Sequence, residues 1–529
     1  MSERTNFHVA AIATAALNVS AFGATIYVDA NASGPTHDGS HWCSAFLELS
    51  DALAASAPGD VIVVAEGVYR PDQGNGQTPG DREASFALPV GVALYGGFAG
   101  CGSPVPNQRD VDLYETILSG DLAGNDGPNF ANNEENAYHV LTAGPFTLAA
   151  VLDGFTVVGG NANGDALPLD AGGGMRIDAG SPTLHDCVFT GNSATFGGGL
   201  ENFNGSHPTI EACLFVGNRA TFRGGGMHNN ASSPTITDTV FLENLATNSG
   251  GGMRNWNLSE PQLSRCAFEG NHAGFGGGMV NDESSPVLQS CIFRANTSDD
   301  TSGGLHNWIS HPLLINCVLV DNEASTFGGG IYSLNASAPT LINCTLGGNY
   351  AGVDGGGLFT THDSDTSLAN CVVWGNLGGS VRGTGAFTLT FSDIEGAMMG
   401  SGNMNVDPLF ADTAAGDLRL AIGSPCIDAG RNEALPSDVL TDLDGRPRFF
   451  DQAHMPDTGK GEPPIVDLGA YEFGAGACVD EGLFSVVLCH QSPGANSRSR
   501  TISVTPADAL DHFAHGDTCG ACPGLRKSR

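Results

Sequence analysis

The chain has 529 residues, with 21 Lys and Arg against 57 Asp and Glu, a formal net charge of −36. That balance excludes nucleic-acid binding through phosphates and argues against an anionic membrane surface, because there is no basic footprint. Only 15% of residues are charged, while Gly (75) and Pro (27) are abundant, which points to turn-rich β structure rather than a helical bundle or a disordered tail.

In chain order, residues 1–23 read as a secretory signal: Arg4, an apolar run from Val9 to Leu17, then the small-x-small site Ala21-Phe22-Gly23. The bland alternative is an unstructured N-terminus. No later stretch has the roughly 18 apolar residues of a membrane span. The expectation is an exported chain, extracellular or at the cell surface, without a transmembrane segment. Residues 24–155 read as a cap followed by irregular coils. Phe46, Leu49 and Leu53 form one apolar helical face, stopped by Pro58-Gly59, that would lie across the first coil.

From 156 to 400 the chain repeats. Cysteines stand at 187, 213, 266, 291, 317, 344 and 371, with Thr239 in the gap, at steps of 25 to 27 residues. Asparagines from Asn192 to Asn376 keep the same steps, and a Pro precedes most of the cysteines by five. Glycine runs follow each Asn. A unit this short cannot bury a core alone, and no helical period runs through it. The pattern predicts an all-β fold, a parallel β-helix of short strands, each column of the repeat becoming a ladder of like residues. Cys187 to Cys371 form one inward ladder of free thiols, and Phe189, Phe215, Phe241, Phe268 and Phe293 another. A metal reading of the Cys column lacks paired spacing and His partners. The Asn ladder is expected at coil corners, in left-handed conformation, with amides bonded to one another.

Residues 401–474, Asp-rich and irregular, are expected to close the far end. The tail 475–529 holds Cys478, Cys489, Cys519 and Cys522. Its Cys519-Gly-Ala-Cys522 reads as structural disulfide chemistry more than as a redox or metal pair.

The elements Phe189-x-x-Asn192, Phe215-x-x-Asn218 and Phe268-x-x-Asn271, with the Gly-Gly-Gly-Met runs, resemble the repeats of chlamydial polymorphic outer membrane proteins. Thr25 to Asp29, Gly59 to Ala65, Leu94 to Phe98 and Glu115 to Asp121 resemble the opening of bacterial right-handed parallel β-helix repeat proteins. Asp407-Pro-Leu-Phe410, Ser424 to Gly430, Asp442 to Arg448 and Asp467 to Glu472 resemble the choice-of-anchor Q end region of such proteins. The resemblance implies a secreted or cell-surface protein. It departs from those families in showing neither a sorting anchor nor an autotransporter barrel.

Catalytic signatures are absent: there is no lysine within the coils, no G-x-S-x-G, no H-E-x-x-H and no phosphate loop. Asp299-Asp300 is the one acidic pair in the repeats that tempts a catalytic reading, and it reads as an exposed turn. Asp438, Asp442 and Asp444 before Gly445 form a fragment of a Ca²⁺ loop without its distal glutamate. After each glycine run two columns are expected to face outward. The first holds Arg254 and His306, and the second Phe203, Trp256, Asp282 and Trp308. Aromatics recur there every second coil, roughly 9.6 Å apart, near the repeat of an extended disaccharide. The leading expectation is a non-enzymatic face for adhesion or for binding glycan or a surface protein. The alternatives are a polysaccharide-degrading β-helix enzyme and a structural surface-layer component.

Overall fold

The computed structural model describes residues 23–474 apart from 146, 148, 397–399 and 451–454, together with the backbone of Val486–His490, Arg500–Val504 and Thr518–Cys519. Residues 1–22, on which the expected signal falls, and Cys478 and Cys522 of the tail lie outside the described residues.

The chain winds into a right-handed parallel β-helix. One coil runs through four short strands, for example Thr183–His185, Val188–Thr190, Ser193–Phe196 and Leu200–Phe203. Stacked coils make four parallel sheets of 13, 12, 8 and 11 strands. We name them by the inward residue: the Leu, Phe, Ala and Met sheets. Equivalent residues pair in register, as Phe189 with Phe215 and Leu200 with Met227. Register is strict because one face of every strand is buried, so a one-residue slip would expose its inward set.

The interior is built from the ladders. The five phenylalanines stack with ring centroids 4.7–5.0 Å apart and interplanar angles of 3–7°. Each buried ring contributes about 1.5–3 kcal/mol. Cys187 through Cys371 are free and buried, as the column predicts. Their thiols point to main-chain carbonyls, Cys266 Sγ lying 3.5 Å from Ile236 O. Thr239 fills the gap by donating to Thr237 O and accepting from Cys213 N.

The Asn ladder is fully buried, and its amides are chained. Asn271 Nδ2 donates to Phe241 O at 2.8 Å and to Asn296 Oδ1 at 2.9 Å, and its Oδ1 accepts from Asn244 N and Nδ2. The left-handed residue is not the ladder Asn but the one before it: Gly191, Gly217, Glu243, Gly270, Ala295 and Asp321. The bend thus precedes the Asn, whose side chain then turns into the coil and bonds backward and forward along the axis. A second ladder, Asn202 to Asn307, runs inside the Met sheet with Nδ2···Oδ1 distances of 2.7–3.0 Å. A third passes from each serine amide to the next serine hydroxyl, from Ser206 to Ser364.

At the start, the helix Leu49–Ala55 buries Leu49 and Ala52, and Phe46 and Leu53 pack on the core, so the expected cap is present. Cys43 and Cys101 form a disulfide that the spacing of the cysteines does not reveal.

At the far end, Ser401 and Met404 bridge to Thr390 and Asp393 and add a last partial turn. The rest of the 401–474 region does not plug the end. It runs back along the outside, as a strap. Leu418, Ala470 and Tyr471 cover Ile292, Val318 and Val320 of the Phe sheet, and Leu435, Val439 and Val466 cover Ile315 of the Leu sheet. Three asparagines hold it. Asn316 Nδ2 donates to Thr441 O, Asn343 Nδ2 to Asp467 O, and Asn370 Oδ1 accepts from Arg431 N. Each occupies the left-handed position before a ladder cysteine, where earlier coils carry Asp186, Ala212, Asp238, Arg265 and Ser290.

Candidate ligand-binding face

The glycine runs decide the geometry of the outer surface. Gly197, Gly224, Gly250 and Gly276 sit at φ of 61–68°, and a Cβ on the next two glycines would meet carbonyl oxygens of the following coil at 2.3–2.8 Å. The chain therefore turns sharply from the Ala sheet into the Met sheet. The residue before each run stands over the first outward column of the Met sheet. Phe196 lies 5.6 Å from the His228 ring, and Phe275 lies 5.1 Å from His306.

This changes the reading of the first column. Glu201, His228, Arg254 and His306 point away from the core, as strand alternation requires, yet they are buried. Expected on the outward face, Arg254 and His306 instead form the floor beneath it. The Arg254 guanidinium, 2% exposed, bonds Ser249 Oγ at 2.8 Å and pairs with Asp282 of the next coil. Burial lowers it to about 10, with Arg223 adding to the fall and Asp282 opposing it. His306 is pushed down to about 3 by burial and by Arg254, so it is neutral at physiological pH. Glu201 Oε2 and His228 Nδ1 are 2.7 Å apart, and burial raises the Glu201 carboxyl.

The second column stands clear of the corner. Trp256 is 36% exposed and Trp308 42%. Both pair in register with Asp282, which lies on the strand between them. Two exposed indoles thus flank a carboxylate held from behind by a buried guanidinium. Phe203, half-buried under the Arg176 guanidinium at 5.6 Å, continues the column two coils earlier. Leu258 and Ile309 extend the exposed apolar edge.

The other sequence candidates take different roles. Asp299 and Asp300 are exposed, the turn that was expected. Asp438 is exposed, while Asp442 and Asp444 are buried with their oxygens engaged. Asp444 takes Arg419 in a two-pronged pair at 2.7 Å, and Asp442 accepts from the amides of Arg446 and Glu472. In the structure these bonds tie the strap together. Among the described residues, Asp153, His185 and Asp186 are close enough to share a cation, but Asp153 already pairs with Arg109.

Comparison with known proteins gives the following. A family model of the right-handed beta helix region matches residues 230–373. The chain is similar to the crystal structure of pectate lyase Pel9A, with a TM-score of 0.43 and 15% identity over 85% of this chain and 97% of that one. It is also similar to the complex structure of XylC with xylose, with a TM-score of 0.41 and 10% identity over 73% of this chain and 87% of that one. No curated protein matches significantly by sequence.

Proposed function

We propose that the protein binds an extended polysaccharide along the outer face of the Met sheet. The observation that carries this reading is the in-register row Trp256, Asp282, Trp308. Two coils rise by roughly 9.6 Å, so the indoles can take successive sugar faces of an extended chain while the carboxylate accepts hydroxyl groups between them. Arg254 keeps Asp282 oriented. A net charge of −36 disfavours a polyanionic chain, so a neutral polysaccharide is the expected ligand. The signal-like residues 1–23 and the anchor-like motifs of 407–472 support placement of this face outside the cell or at its surface.

A second reading, cleavage of the bound polymer, is favoured by one observation. Glu201, His228, Arg254 and Asp282 form a row of acid and base groups on four successive coils beneath and within the face. Glycoside cleavage needs two carboxyl groups flanking the bond. Here Asp282 is the solvent-reached member. The test is a polysaccharide array probed with the full chain, each hit then assayed for new reducing ends and unsaturated products. Binding without products supports the first reading, and products lost in Asp282→Asn support the second. No binding to any polysaccharide would remove both.

A further inference from the structure

A separate hollow lies on the opposite side of the coil, where residues 407–418 of the strap cross the Phe sheet. It has a volume of about 490 Å³. That lies within the roughly 300–1,000 Å³ typical of small-molecule pockets.

Its origin can be followed in one column of the repeat. The outward position of the Phe sheet reads Val216, Leu242, Glu269, Arg294, Val320, Gly347, Trp374. At Gly347 the side chain is missing. Leu418 of the strap fills part of the space, its methyls 2.9 and 3.1 Å from where a Cβ would stand. The remainder stays open beside the Trp374 indole. Asp321, Asp407, Phe410 and Thr413 line the walls.

The chemistry of the lining is specific. Trp374 and Phe410 offer apolar ring faces, and Asp321 and Asp407 offer acceptors for hydroxyl groups. Neither Lys nor Arg lines the pocket among the described residues, so an anionic ligand would meet two carboxylates without a counter-charge. Arg294, in the preceding coil, acts on Asp321 from outside the lining. Aromatic faces with convergent acceptors in a concave site suit a polyol ring. We propose that this pocket is a second binding site, for a single neutral pyranose unit, independent of the Trp256 and Trp308 face.

The test uses the full chain carrying Trp256→Ala and Trp308→Ala, so that the other face is removed. D-Glucose, D-xylose and cellobiose are titrated separately, read by calorimetry and by the emission of the remaining tryptophans. The expected result is saturable binding of at least one of them, weakened at least tenfold by Asp321→Asn and by Trp374→Ala. Trp374 also packs on the strap, so Asp321→Asn with an unchanged melting temperature is the deciding variant. The proposal is overturned if none of the three neutral sugars binds saturably, or if Asp321→Asn at unchanged melting temperature binds as tightly as its parent. Failure of the polysaccharide reading shows only in the unmodified chain and leaves this readout intact.

Discussion

Replacing Asn271 by Ala tests the internal architecture at one atom group. The side chain makes four bonds: Nδ2 to Phe241 O and to Asn296 Oδ1, and Oδ1 from Asn244 N and Nδ2. Alanine takes a donor from the Phe241 carbonyl and an acceptor from the Asn244 amide in a dry interior. Each buried polar group left unpaired costs about 1–3 kcal/mol. Two such groups give about 2–6 kcal/mol, reduced if a water enters the small cavity. Asn230, half-exposed on the outer face and touched by Asn257 Nδ2 at 3.5 Å, provides the control. Its removal is expected to change stability by under about 0.5 kcal/mol. Urea unfolding of the two variants against the parent supplies the comparison. Because a solenoid is stabilised chiefly by neighbouring coils, hydrogen exchange should also rise first in the coils around 244–296. Equal urea midpoints for Asn271→Ala and Asn230→Ala would refute the ladder.

Two other predictions concern the thiols and the strap. The ladder cysteines should be unreactive toward a thiol reagent in the native protein and titrate fully in denaturant; reaction of Cys187 to Cys371 without unfolding would place the column at the surface. In the strap, burial raises Asp442 and Asp467 to about 7, where Arg448, Arg446, Asp444, Asp428 and Glu472 surround them. Their folded values lie above the unfolded ones, so the folded state holds protons that the unfolded state has lost. Their contribution is therefore full below about pH 4 and is lost as pH rises through about 7. The strap should melt several degrees higher at pH 5.5 than at pH 8 in calorimetry, and a transition that is flat or rises with pH would contradict the assignment.

The coil was legible because like residues recur at one step, and stacking converts that step into ladders of Cys, Phe and Asn. Outward direction was legible for Trp256 and Trp308 from strand alternation alone. Burial of Arg254 and His306 was not, because alternation tells which side of its own sheet a residue takes but not whether a neighbouring wall stands over it. That wall arises from Phe196 and Phe275 before the glycine corners. The left-handed site was misplaced by one residue because Asn tolerates that conformation, whereas here it serves as an internal amide. The docking of the strap leaves a mark in the sequence. The position before Cys changes to Asn in three consecutive coils, Asn316, Asn343 and Asn370, and Ile315 and Ile342 turn the adjoining outer face apolar. The disulfide Cys43–Cys101 joins residues whose approach depends on the cap and an inserted loop, which no periodicity encodes.

The central claim is that Trp256 and Trp308 bind one extended chain together. Its most direct measurement is affinity against chain length, using neutral oligosaccharides of one to six units cut from a polysaccharide that binds. A steep gain is expected once the oligomer spans roughly 9.6 Å, the rise of two coils. Trp308→Ala should abolish that gain, weaken the longer chains by about 1 kcal/mol or more, and leave melting nearly unchanged. A length dependence that is the same in the parent and in Trp308→Ala would contradict it.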